Sequence, residues 1–360
     1  MKTNALSIIP LMVAALAGGA FQYVFRATGT AQALRSSTAV TRVPNIAPCG
    51  YVMSRVAGYQ RVSPLLTAER ECESPRFQPL RSALGSLIDG LKSSGELTSA
   101  SVYIFDLQQG DWAGYNATDR YDPGSMMKVP LMLSYLSMAE EIPDMLQRTW
   151  TCDPIVMEAP EQSIIPEKRA EPNVSYTVAQ LLELMMVYSD NRATAVLLQH
   201  VPSGRFVRTF TDLGLPAPVQ HAGTYMMNAR DYSVFMKALY HSSLLSPMRS
   251  DHALDLMSRS TWGGGLLAGL PADVEVAHKF GEAVDQGGFQ LHETGLVYAE
   301  DSPYIVTVMT RGTQAGVLAG AISRISRIVY EEMTRDSGGQ NVAQRSDARA
   351  TGSRSPGEPL

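Results

Sequence analysis

Ser125 and Lys128 stand three residues apart in "YDPGSMMKVPLMLSYL", residues 121–136. On a helix this spacing puts both side chains on one face. A serine hydroxyl is a weak nucleophile until a base takes its proton. A lysine that is desolvated and crowded by other cations gives up its own proton more readily and can be that base. Gly124 precedes Ser125 at the predicted start of the helix. Free backbone N–H groups and the positive end of the helix dipole favour an oxyanion there. Pro130 removes one backbone donor inside the run, which predicts a local distortion of the turn. The pair alone reads equally as a helix cap and a surface lysine, because a chain this long contains about one Ser-x-x-Lys by chance.

Two later segments carry related residue types. "MVYSDNRATAV" brings Ser189, Asp190 and Asn191 together at a predicted helix end or junction, where such a cluster also serves as a cap. "VAHKFGEAVDQGG" puts Lys279, Phe280, Gly281 and Glu282 on a predicted strand, with a second hairpin strand following. Taken singly, Lys279 is a charge at a strand end.

The elements that must hold these residues are read from apolar spacing. "PLRSALGSLIDGLKSS" has the i, i+3, i+4 pattern of a helix, and "ASVYIFDL", the turn "QQGD" and "WAGYN" form a strand pair. A helix follows from the 121–136 stretch. "SYTVAQLLELMMVYSDNRATAVLLQHV" predicts one or two more, with Thr177 and Gln180 as a capping box. "NARDYSVFMKALYHSSLL" and "DHALDLMSRS" are further predicted helices. The strands "VEVAHKFG", "GGFQLHETGLVYA" and "PYIVTVMTRG" come next, and the helix "GVLAGAISRISRIVYEEMTR" closes the pattern. Strands at both ends with helices between them predict an α/β (α+β) fold. One antiparallel sheet is built from both chain ends, and a helical lobe is inserted.

Outside this region, 76–334, the pattern changes. Residues 5–25 carry no charge and are flanked by Lys2 and Arg26, so 1–26 is predicted to be a signal peptide or an N-terminal membrane anchor, and the protein to be exported. Residues 27–75 lack periodicity and read as a stalk, and 335–360 as a disordered polar tail. With 45% hydrophobic and 18% charged residues and a net charge of −5, the chain has material for a core and no basic patch for nucleic acid. The 3 Cys, at 49, 72 and 152, allow one bridge in an exported protein and leave one thiol over. The 6 His show no ligand spacing, so neither a metal nor another cofactor is expected.

Ser-x-x-Lys, then Ser-Asp-Asn, then Lys-x-Gly on a strand, in this order, resembles the signature set of penicillin-binding proteins and class A β-lactamases. The resemblance spans about 76–334. It implies Ser125 as the acylated nucleophile and Lys128 as the group assisting its deprotonation. Ser189 would carry the proton to the leaving nitrogen, and Lys279 would set the local electrostatics. Asn191 would hold the substrate amide, and the backbone N–H groups of Ser125 and Glu282 would form the oxyanion hole. The implied substrate is a β-lactam or a peptidoglycan stem peptide.

Two departures qualify that expectation. Phe280 stands where the family has a hydroxyl for the substrate carboxylate, and Glu282 adds negative charge beside it, so Phe280, Gly281 and Glu282 form an altered substrate-binding edge. Class A enzymes also use a loop glutamate to activate the deacylating water. Residues 192–274 contain no Glu, and the nearest acids are Asp212 and Asp231, the latter at a predicted helix start. The expected enzyme is thus a β-lactamase-like serine hydrolase that deacylates slowly. A D,D-carboxypeptidase-like enzyme of peptidoglycan and a penicillin-binding sensor without turnover are the alternatives.

Overall fold

The computed structural model describes residues 41–42, 49–156, 162–218, 225–300 and 302–335. The apolar run at 5–25 and most of the C-terminal tail lie outside these residues. Thr41–Arg42 (β1), Tyr51–Arg55 (β2) and Leu65–Arg70 (β3) form a small antiparallel sheet in that order. Gln78–Ser93 (α1) leads to Ser99–Asp106 (β4) and Trp112–Tyr115 (β5). A 3₁₀ turn at Gly124–Met127 runs directly into Lys128–Glu141 (α2). Thr149–Thr151 (β6) pairs with Ser175–Thr177 (β7). Then come Val178–Val187 (α3), Asn191–His200 (α4), Ser203–Thr211 (α5), Ala229–Tyr240 (α6) and Pro247–Ser258 (α7). Val276–Asp285 (β8), Gly288–Val297 (β9), Tyr304–Gly312 (β10) and Ala315–Arg335 (α8) complete the chain.

The main sheet has the order β5-β4-β10-β9-β8, antiparallel throughout. Its strands come from both sides of the helical segment, as the sequence predicts. Alternation sorts its side chains: Val102 and Ile104 face the layer of α1 and α8, whereas Tyr103 and Phe105 face the helical lobe. Helix α2 is buried almost all round, from Lys128 to Leu136, and is the centre of that lobe. β8 is an edge strand, and the start of α2 packs against it. A Cβ on Gly281 would lie 2.3 Å from the Pro123 carbonyl oxygen, and one on Gly124 2.2 Å from that of Glu282, so this contact admits glycine alone.

Three local points go beyond the sequence reading. The long 175–201 segment is two helices, broken at Ser189 and Asp190, with the predicted Thr177–Gln180 capping box at its start. Helix α5 is too short for its spacing of Phe206 and Phe210 to stand out. The third is larger, because part of the 27–75 stretch folds onto the domain. Val56 and Leu66 of the hairpin are 5% and 2% exposed within the main core cluster, each worth about 1.5–3 kcal/mol of burial. Cys49 and Cys72 form a disulfide that ties the hairpin's ends together, and Cys152 is a buried free thiol. Two short strands packed by only a few inward side chains leave little periodicity to read.

Candidate active site

Three elements bring the sequence-predicted residues together. The 3₁₀ turn before α2 carries Ser125, and α2 opens on Lys128. Pro130 lies in the first helical turn, where its missing N–H breaks no bond that the helix start would otherwise make within α2. The carbonyl four residues earlier, that of Met126, instead accepts from the Tyr232 hydroxyl at 2.6 Å. A side chain from α6 thus replaces the donor that proline lacks, and the expected distortion is absorbed beside the nucleophile. Tyr232 escaped the sequence reading; the signal was the Met126 carbonyl, which Pro130 leaves without its i+4 donor, but no pattern says which side chain fills it.

The second element is the α3–α4 junction. Ser189 has φ +58°, a left-handed conformation that costs a non-glycine residue about 1–3 kcal/mol and persists only when its surroundings over-determine it. Here its carbonyl accepts from Lys128 Nζ at 2.7 Å and from Gln162 Nε2 at 3.1 Å, and its hydroxyl is bonded by two lysines. Asp190 caps α4, accepting from the backbone of Arg192 and Ala193 and also from Ala170. The capping reading therefore holds for Asp190 while its two neighbours face the lysine.

Lys128 Nζ has four oxygen neighbours: Ser189 O and Asn191 Oδ1 at 2.7 Å, Ser125 Oγ at 2.9 Å and Ser189 Oγ at 3.1 Å. Burial pulls its pKa down to about 7, against the pull of Asp190 and Glu282. A neutral amine has two N–H donors and one lone pair. The two shortest contacts go to oxygens that can only accept, so they take both donors. The lone pair is left for a hydroxyl proton, and Ser125 Oγ is the nearer hydroxyl. The arrangement can therefore deprotonate Ser125 near neutral pH.

Lys279 reaches across from β8. It is buried, with Nζ 2.8 Å from Ser189 Oγ and 3.1 Å from the Phe280 carbonyl, and 4.1 Å above the Phe280 ring. Burial and then the charge of Lys128 hold it well below the usual lysine range. Ser189 Oγ thus bridges Lys128 and Lys279, which suits a hydroxyl that relays a proton. Asn191 spends its oxygen on Lys128, and Nδ2 is the group that could donate to a substrate carbonyl.

The remaining predicted residues behave differently. Phe280 is 3% exposed and packs on Trp262, ring centroids 4.5 Å apart, within the layer of α1 and α8; its side chain offers no surface to a substrate. Gly281 acts through the close approach of backbone described above. The Glu282 carboxyl turns to a segment absent from the sequence reading, accepting from the Ser163 backbone at 2.9 Å. Burial raises its pKa, opposed by the N–H groups of Ser163 and Ile164 and by Lys128. Gln162 and Ser163 thus join the second motif to β8. Asp231 sits in the first turn of α6 and exchanges hydrogen bonds with the Asn228 cap. Asp212 ends α5 and faces Gly58. Neither contacts Lys128. Residues 219–224 lie outside the described residues.

The beta-lactamase enzyme family matches over residues 79–333. The chain belongs to that family. Among solved structures it is similar to PBP-A, at 25% identity and a TM-score of 0.62, over 73% of this chain and 98% of that one. A point mutant of PBP-A, solved as an acyl-enzyme complex with penicillin G, matches at 25% identity and 0.60, over 71% and 97%. The β-lactamase from Sphaerobacter thermophilus shares the fold at 17% identity and 0.61, over 70% and 97%. No curated protein matches. The protein is a serine hydrolase of β-lactamase-like fold.

Proposed function

We propose that Ser125 is acylated by an amide substrate, a β-lactam or a related compound, and that the acyl-enzyme is hydrolysed slowly. The Lys128 geometry carries this reading: a buried amine whose donors are already committed, with its lone pair toward Ser125 Oγ. Lys128 takes the hydroxyl proton as Oγ bonds to the carbonyl carbon. The oxyanion that forms is held by the backbone N–H groups of Ser125 and Glu282. As the C–N bond breaks, the proton returns through Lys128 and Ser189 Oγ to the leaving nitrogen, with Lys279 stabilising the relay.

Deacylation needs a base for water. Among the described residues, Asp190 and Glu282 are the carboxylates acting on Lys128, and both are bound to backbone N–H groups. That shortage also favours a second reading, a penicillin-binding enzyme of peptidoglycan, and the acyl-enzyme of the PBP-A mutant with penicillin G supports it. The Cys49–Cys72 disulfide and the apolar run at 5–25 support export, with or without a retained anchor.

Stopped-flow mixing with nitrocefin, paired with intact-mass spectrometry, tests this. The expected result is a burst of one equivalent and slow turnover, with the adduct on Ser125. General-base assistance is worth about 10²–10⁴-fold, so the imbalance between the half-reactions should be large. Burst-free turnover without a trapped adduct would refute slow deacylation. Release of D-alanine from a stem-peptide mimic would establish the second reading.

A further inference from the structure

Lys279, on the substrate edge, has its Nζ engaged by Ser189 Oγ and the Phe280 carbonyl and covered by the Phe280 ring. No hydroxyl stands at 280. A substrate carboxylate arriving there meets neither an uncommitted ammonium nor an O–H.

The next residue on β8 offers the opposite. Glu282 is 8% exposed, and its Oε1 is fixed by the Ser163 N–H. Its Oε2 is buried and, among the described residues, accepts no hydrogen bond of ordinary geometry. An unpartnered buried carboxylate oxygen is costly, about 1–3 kcal/mol or more for a charged group, and calls for a donor from outside the chain, a water, an ion or a ligand. Glu282 belongs to the strand edge against which Gly124 packs, so the carboxyl is carried by the residue whose backbone borders the nucleophile's turn. Oε1 is held from the 162–164 segment, which is also tied to Ser189 through Gln162, so the carboxyl is positioned before substrate arrives.

We propose that Glu282 is a specificity-determining residue: it selects acyl donors for Ser125 that carry an ammonium or other N–H donor beside the reacting carbonyl, and disfavours those that carry a carboxylate there. The inference rests on the acyl-enzyme reading above. Oε2 accepts from the substrate donor, and the same carboxylate repels an anionic group. A single charge-assisted hydrogen bond gives about tenfold to a hundredfold discrimination, and like-charge repulsion widens it.

The test uses three activated thioesters identical except for an ammonium, a methyl or a carboxylate group next to the acyl carbon. Rates of Ser125 acylation are followed by intact mass for the wild-type protein, Glu282→Gln and Glu282→Lys. The wild type is expected to prefer ammonium over carboxylate by at least about tenfold. Glu282→Gln should bring the three rates close together, and Glu282→Lys should invert the order. Each ratio is internal to one variant, so partial misfolding cancels. Acylation of Ser125 with equal rates, or with the carboxylate preferred by the wild type, overturns this inference and leaves the acyl-enzyme reading standing. No acylation of Ser125 by any of the three, nor by penicillin G, overturns both.

Discussion

Two buried lysines divide the chemistry of this molecule. Lys128 and Lys237 are each 1% exposed, and burial lowers the pKa of both. Lys237, on α6, meets a carboxylate directly: Glu69 Oε2 at 2.5 Å, with Tyr103 OH at 2.9 Å and the Phe105 ring 4.1 Å away. Glu69 comes from the disulfide-tied hairpin and also binds Arg230. Burial pushes the Glu69 pKa up, but Lys237 and Arg230 outweigh it and the net shift is downward. Lys128 touches only uncharged oxygens. A carboxylate in contact keeps an ammonium charged and makes an ion pair. Neutral acceptors at the same depth leave it free to lose the proton, which makes a base.

Four experiments would break or sharpen this contrast. The largest effect is expected at Lys128. Lys128→Ala should slow Ser125 acylation by about 10²–10⁴-fold, while Lys237→Met leaves the rate per folded molecule within about threefold, as expected for a residue outside the reaction. The wild-type rate should rise with pH through about 7, because only the neutral amine accepts the proton, and Lys128→Ala should lose that limb. A pH–rate profile with no inflection there would remove the distinction.

Next comes Glu69→Ala. It strands a buried lysine and should cost about 3–5 kcal/mol in urea unfolding, whereas the paired Glu69→Leu, Lys237→Met protein should recover most of that. Recovery marks Lys237 as structural; a matched pair at the active site would not restore acylation.

Phe280→Thr ranks third. It removes the ring that packs on Trp262, so the melting temperature should fall, while acylation by penicillin G stays within about threefold because the side chain at 280 faces the core. A gain of about tenfold or more would bring position 280 into the substrate edge.

The smallest effect belongs to Tyr232→Phe. Losing the donor to the Met126 carbonyl should cost about 1 kcal/mol of stability, read by thermal unfolding, and slow acylation only a few-fold, as expected for a positioning residue. A loss as large as that of Lys128→Ala would make Tyr232 part of the proton path.

The sequence by itself determined much of this protein. Apolar periodicity marked the sheet strands and most of the helices. The order of Ser125, Lys128, Ser189, Asn191 and Lys279 marked a candidate site whose side chains the fold brings together, because short-range spacing and strand register fix which side chains share a face. The capping roles of Thr177 and Asp190 and the helix-start position of Asp231 were legible for the same local reason. Only tertiary structure decided what those side chains meet. Whether a lysine is a base or half of an ion pair depends on partners far along the chain: residue 189 for Lys128, residue 69 for Lys237. The hairpin's packing, the burial of Phe280, the hydroxyl that answers Pro130 and the turn of Glu282 toward Ser163 are likewise contacts across long stretches of chain. Burial and pairing, which set charge in a protein interior, are properties of the assembled fold and leave no period in the sequence.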